Sequence, residues 1–188
     1  MSLITTIKNI IPIDSELNKA IDQAFIQKEY TKQHILHHYG DISTTLYYIE
    51  KGLCRIYYVN TTGKDITYGF YKEGDFVAIA ESFFTQKPSG YCIETLEDCS
   101  LFSIRYNDLV KLTDEFPAIE KVKSHVLQYF LLIATSRIIA LQFQSAQQRY
   151  NALLEQQPGI LQRAPLGHIA SYLGITQETL SRIRSKVL

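Results

Sequence analysis

Between Tyr30 and Tyr106 the chain consists of short runs rich in Tyr, Ile, Thr, Val and Phe, cut at Gly40-Asp41, Lys51-Gly52, Thr62-Gly63-Lys64, Gly74-Asp75 and Pro88-Ser89-Gly90. β-Branched and aromatic side chains suit a pleated, half-buried surface, and glycine and proline supply the backbone angles of tight turns. The segment is predicted to hold about seven strands at roughly eight-to-twelve-residue spacing, which closes into a sandwich or barrel.

Helical periodicity flanks this block. Upstream, Leu17, Ile21, Ala24 and Phe25 share one face of an amphipathic cover from about Ser15 to Lys28. Downstream, Ile119, Val122, Val126, Tyr129, Ile133, Ser136, Ala140 and Phe143 recur at alternating spacings of three and four, a heptad seam. Such a seam can pack on the β domain or on a second copy. Over its length a parallel partner helix is expected, making Val122, Val126, Tyr129, Ile133 and Ala140 the dimer contacts. A further helix from Ser145 to Gln156 ends at Gln157-Pro158-Gly159, because proline disfavours helix in the residue before it and glycine tolerates a left-handed exit.

The last segment carries the strongest functional signal. Leu166, Ile169, Ala170 and Leu173 line one side of a short helix, Gly174 breaks it, and Thr176 has a hydroxyl suited to capping a new helix from Gln177. Leu180, Ile183 and Val187 would pack inward, leaving Gln177, Glu178, Ser181, Arg182 and Lys186 outside. A helix-turn-helix that reads the major groove needs this arrangement. The arginine fork matches guanine acceptors, glutamine pairs with adenine, and glutamate accepts from the cytosine amino group. Gln177, Glu178, Ser181 and Arg182 are the candidate base readers, and Thr176, Thr179, Arg184 and Lys186 the candidate phosphate contacts.

Charge supports this assignment. The chain has 19 basic and 19 acidic residues, but from Ala146 onward five Lys/Arg face two acids, a net of +3, leaving −3 for the remainder. Nothing near the start reads as a signal peptide, and no apolar run is expected to approach the roughly 18 residues of a membrane span. The protein is expected in the cytoplasm, without membrane contact. Cys54, Cys92 and Cys99 include no CxxC pair and are expected as buried thiols, so neither a disulfide nor a metal site is expected.

Residues 174–184, Gly-Ile-Thr-Gln-Glu-Thr-Leu-Ser-Arg-Ile-Arg, closely resemble the recognition-helix signature of the Crp/Fnr family, the catabolite activator protein-like regulators. Gly52 and Gly74-Asp75-Phe76 match that family's β-roll turns. The resemblance covers nearly the whole chain. It implies an α+β fold: a cyclic-nucleotide-binding-like β-roll (jelly roll) over 1–115, a dimerisation helix over 116–144, and a winged helix-turn-helix over 145–188 with its wing from Ile160–Arg163. It also implies a homodimer on a palindromic operator in double-stranded DNA.

The sensor departs from the pattern. Aligned on Gly74-Asp75-Phe76, the ribose-holding glutamate falls on Ile79, with Glu81 displaced, and the phosphate-holding arginine falls on Ser89 followed by Gly90. Without that charge-assisted fork a cyclic phosphate would lose about 1.5–3 kcal/mol, which Lys87 replaces only as a point charge. Cyclic AMP is therefore not the expected effector. Thr135-Ser136 coincide with the family's adenine contacts. Residues 81–89 resemble a cassette of a Bacteroidetes-type branch, serving either an unnamed small molecule or only packing.

No cysteine precedes Cys54 to build an iron–sulfur sensor, and no cofactor is expected. His34, His37 and His38 sit on a predicted strand as exposed residues, metal or haem ligands, or cavity lining. An enzyme of the metal-binding β-barrel class is disfavoured, because adjacent His37 and His38 face opposite sides of a strand and His125 and His168 fall on predicted helices. The rival function is a ligand-binding or protein-interaction module of the same fold that no longer binds DNA.

Overall fold

The computed structural model describes residues 2–185. Two helices, α1 (Leu3–Lys8) and α2 (Ser15–Ala24), precede eight strands: β1 (Ile26–Tyr30), β2 (Ile35–His37), β3 (Thr45–Lys51), β4 (Cys54–Val59), β5 (Asp65–Tyr71), β6 (Phe76–Val77), β7 (Cys92–Thr95) and β8 (Cys99–Arg105). A short α3 (Ala80–Thr85) lies between β6 and β7. The strands form two four-stranded sheets, ordered β1-β8-β3-β6 and β2-β7-β4-β5, with antiparallel neighbours throughout. This is the anticipated roll, with one strand earlier than expected: α2 stops at Ala24, and Ile26–Tyr30 pairs with β8 rather than extending the helix.

The turn glycines are required by geometry at Gly52, where φ is +110° and an added Cβ would sit 2.4 Å from Cys99 Sγ. Inward residues of the two sheets, including Ile49, Ile56, Val77, Ile93 and Leu101, form one core, and all three cysteines are buried and free.

After α4 (Tyr106–Glu115) comes α5 (Ile119–Phe143), 25 residues long, then α6 (Ala146–Gln156), α7 (Ile160–Arg163), α8 (Leu166–Leu173) and α9 (Gln177–Arg184). Ser145 caps α6 through a reciprocal box with Gln148, and Gly159 at φ +85° turns the chain out of it, as its sequence predicts.

The heptad assignment on α5 is corrected. Ile119, Val122 and Val126 are buried against α1, α2 and α4 of the same chain, Ile133 packs on the core between the sheets, Tyr129 hydrogen-bonds Asp75, and Ala140 lines an internal cleft. A second row, Leu127, Leu131, Ala134, Ile138 and Leu141, has the same alternating spacing, and its four large side chains are exposed, Leu131 at 64%. A helix that is apolar on two faces gives two seams of equal period, and spacing alone does not say which one the β-roll covers. The same double face overturns the expectation about membrane spans, since α5 is long and apolar enough by composition to cross a bilayer.

Two further expectations change. Ile160–Arg163 is a helical turn, not a wing, and no strand follows Arg105 among the described residues; buried Ile160 anchors α7 in the C-terminal core. His37 is buried, with Nε2 unpartnered, while His34 and His38 are exposed; no cluster of potential metal ligands occurs among the described residues.

Candidate nucleic-acid interface and sensor cavities

The C-terminal motif forms as its residues dictate. Ile169, Ala170 and Leu173 bury one side of α8, whereas Leu166 is 41% exposed. Gly174 adopts φ +67°, and the Thr176 hydroxyl accepts from the Thr179 amide at 3.2 Å to start α9. Leu180 and Ile183 seat α9 on α8, which leaves Gln177, Glu178, Ser181 and Arg182 exposed along one outer face.

These groups are partly preoriented. Arg182 donates to Thr179 Oγ1 at 3.2 Å, and Thr179 Oγ1 also bonds Thr176 Oγ1, so the three side chains form a short chain at the helix start. The Glu178 carboxyl is held below its ordinary range, first by a hydrogen bond with Thr176 and also by the nearby charge of Arg182. Arg184 is half-buried, and Lys186 and Val187 lie outside the described residues.

The basic surplus of this segment is not all surface charge. Arg149 donates to the Leu173 carbonyl at 2.9 Å and to the Gln144 carbonyl. Arg163 is clasped by Glu73, 2.7 Å away, and by Glu97, both on turns of the β-roll. The C-terminal unit is therefore docked on the roll. The Thr67 amide donates to Ser171 Oγ at 2.9 Å, His168 Nε2 lies 4.0 Å from Asp65, and the Phe70 ring meets that of Tyr172 at a tilt of 53°. Leu53, Phe70 and Leu96 of the roll share one core with Leu153, Ile160 and Ile169. Nothing local in the sequence signals these contacts, because the partners lie far apart along the chain.

Of the candidate effector residues, the structure brings only Glu81 into the cavity between the roll and α5. That cavity is about 310 Å³, walled by Ile56, Tyr68, Tyr71 and Tyr91. Ser89 is buried in a turn, its Oγ accepting from the Tyr91 amide, and the Lys87 carbonyl accepts from Ser82 Oγ. Lys87, Ser89 and Gly90 thus shape a loop and do not line the cavity. Thr135 is exposed on α5, and Ser136 lines a different, larger cleft.

The described residues thus form an eight-stranded roll joined through one long helix to a helix-turn-helix. The cyclic nucleotide-binding domain profile matches residues 27–116. The anaerobic regulatory protein of Aggregatibacter actinomycetemcomitans is 28% identical over 169 residues, covering 84% of this chain and 65% of that protein. The chain thus spans slightly less than two thirds of that relative. Among solved structures, FixK2 from Bradyrhizobium japonicum superposes with a TM-score of 0.75 at 18% identity, covering 87% of this chain and 84% of its own. A Crp/Fnr-family transcriptional regulator from Eubacterium rectale gives 0.70 at 19% identity, covering 93% and 85%. Over most of its length the chain is similar in sequence to the first of these regulators and in fold to the other two.

Proposed function

We propose that the protein is a sequence-specific DNA-binding transcription regulator, acting in the cytoplasm as a homodimer and without enzymatic activity. The observation that carries this reading is the outer face of α9. Four base-compatible side chains, Gln177, Glu178, Ser181 and Arg182, are exposed there while Leu180 and Ile183 hold the helix from behind. In this reading Thr176, Thr179, Arg184 and Lys186 position the phosphate backbone. The chain divides into a sensor over 1–115, a dimer helix over 116–144 and a reader over 145–188.

The exposed row Leu127, Leu131, Ile138 and Leu141 supports dimerisation, since an apolar stripe of heptad spacing buries itself against a second copy. Two subunits then present their α9 helices about 34 Å apart, one turn of DNA, to a roughly palindromic site.

Cyclic AMP does not fit the β-roll cavity. Glu81 is its only charged lining residue, so a phosphate there meets a carboxylate and no cation. The cavity suits an uncharged, apolar or aromatic effector. Selection of bound DNA from a random pool at one stated salt concentration tests the reading. An enriched palindrome supports it, and no enrichment favours an interaction module of the same fold.

A further inference from the structure

A cavity of about 540 Å³ lies where β5, α5, α6 and α8 meet, away from the outer face of α9. That volume lies within the range of about 300–1,000 Å³ usual for small-molecule sites. Its charged lining is one-sided. Lys72, Arg137 and Arg149 face Asp75, the only carboxylate in the lining. Burial raises the Asp75 carboxyl toward its neutral form.

The two arginines are fixed but not neutralised. Arg137 donates to the Tyr172 carbonyl and lies 4.1 Å from the Tyr172 ring centre, while Arg149 donates to the next carbonyl, Leu173. Both therefore cap the C-terminal end of α8, and neither pairs with a carboxylate among the described residues. Burial lowers the Arg137 pKa, and the nearby Arg149 charge lowers it further. A guanidinium has five N–H donors, of which Arg137 uses one and Arg149 two among the described residues. The Oε1 atoms of Gln144 and Gln157, both lining residues, are buried without a hydrogen-bond donor. Aromatic walls come from Tyr68 and Tyr172.

We propose that this junction cavity binds a phosphorylated organic molecule of nucleotide size, its phosphate between Arg137 and Arg149 and its hydrogen-bond donors on Gln144 and Gln157. The site adjoins the apolar cavity beside Glu81, with Tyr68, Tyr71 and Ile133 shared between the two walls. Because its walls belong to the roll, the long helix and the reader, an occupant would fix the angle of α8 and α9. That consequence rests on the proposed DNA-binding function, whereas the binding itself does not.

The test is calorimetric titration of the full chain, without DNA, with inorganic pyrophosphate and with adenosine 5′-monophosphate. Both are expected to bind competitively, the nucleotide more tightly. Binding should weaken at least tenfold in Arg137→Gln, which removes charge, and in Ala140→Phe, which fills space, with folding of each checked by its unliganded melting temperature. Should one variant fail to fold, the other decides. No binding of pyrophosphate to the wild type at millimolar concentration, or equal affinity in the folded variants, overturns the site. Weaker binding of the nucleotide than of pyrophosphate overturns its organic half. A failed DNA selection leaves the titration unaffected, so the two readings fail separately.

Discussion

The side-chain amide of Gln177, the first residue of α9, lies so close to Gly167 of α8 that a Cβ at Gly167 would stand 2.5 Å from Gln177 Nε2. α8 thus has a glycine where α9 places its first polar side chain. Gly167→Ala is expected to displace that amide, weaken binding to the selected DNA site and alter preference at one base pair. Stability should hold or rise by about 0.5–1 kcal/mol, because alanine favours helix over glycine. Paired DNA titration and urea denaturation check this; unchanged sequence preference would remove Gln177 from the reading face.

Arg182→Ala should cost about 1–3 kcal/mol of DNA affinity per subunit and relax specificity at one base pair of each half-site. Loss of a phosphate contact instead weakens all sequences alike. Equal weakening of matched and mismatched sites by Arg182→Ala would reassign it to the backbone.

Leu131→Glu places a charge in the middle of the exposed α5 row and is expected to give a folded monomer by sedimentation, where the wild type is expected to sediment as a dimer. Val122→Glu should instead lower the melting temperature sharply, because that side chain is buried in the chain's own core. A Leu131→Glu protein that stays dimeric would place the interface elsewhere.

Ser171→Ala leaves the Thr67 amide, in a fully buried residue, without its acceptor. A loss of about 1–3 kcal/mol is expected in urea denaturation. A loss below about 0.5 kcal/mol would show that the reader rests on the roll mainly through apolar contact.

The docking of reader on roll should loosen in acid. Burial lowers the His168 imidazole below its ordinary 6.5, with the Arg55 charge adding to it, so the folded state resists protonation and stability falls as pH drops through this range. Glu73 is raised by burial but lowered more by its hydrogen bonds from Arg163 and Gly52, ending below its ordinary 4.5. Its contribution is full above pH 4.5 and is lost as pH falls further. Melting temperatures from pH 8 to 4 should decline in two limbs, and Glu73→Gln should flatten the lower one; an unchanged lower limb in that variant would remove the Glu73–Arg163 pair as its cause.

How much was legible in sequence divides along physical lines. Local chemistry alone settled the C-terminal motif, because a glycine exit at Gly174, a hydroxyl cap at Thr176 and apolar residues at helical spacing act within a few residues of one another. The alternating strands and their turn glycines were readable for the same reason. Tertiary structure alone decided which apolar row of α5 is covered, since Val126 and Leu127 differ only in what lies opposite them. It also turned Arg149 and Arg163 from apparent DNA-facing charges into ties holding the reader in place, and gathered Arg137, Arg149 and Lys72 around one cavity. Local backbone preference operates between neighbours in the chain and leaves a trace in spacing, whereas packing and charge pairing operate between residues brought together only by folding.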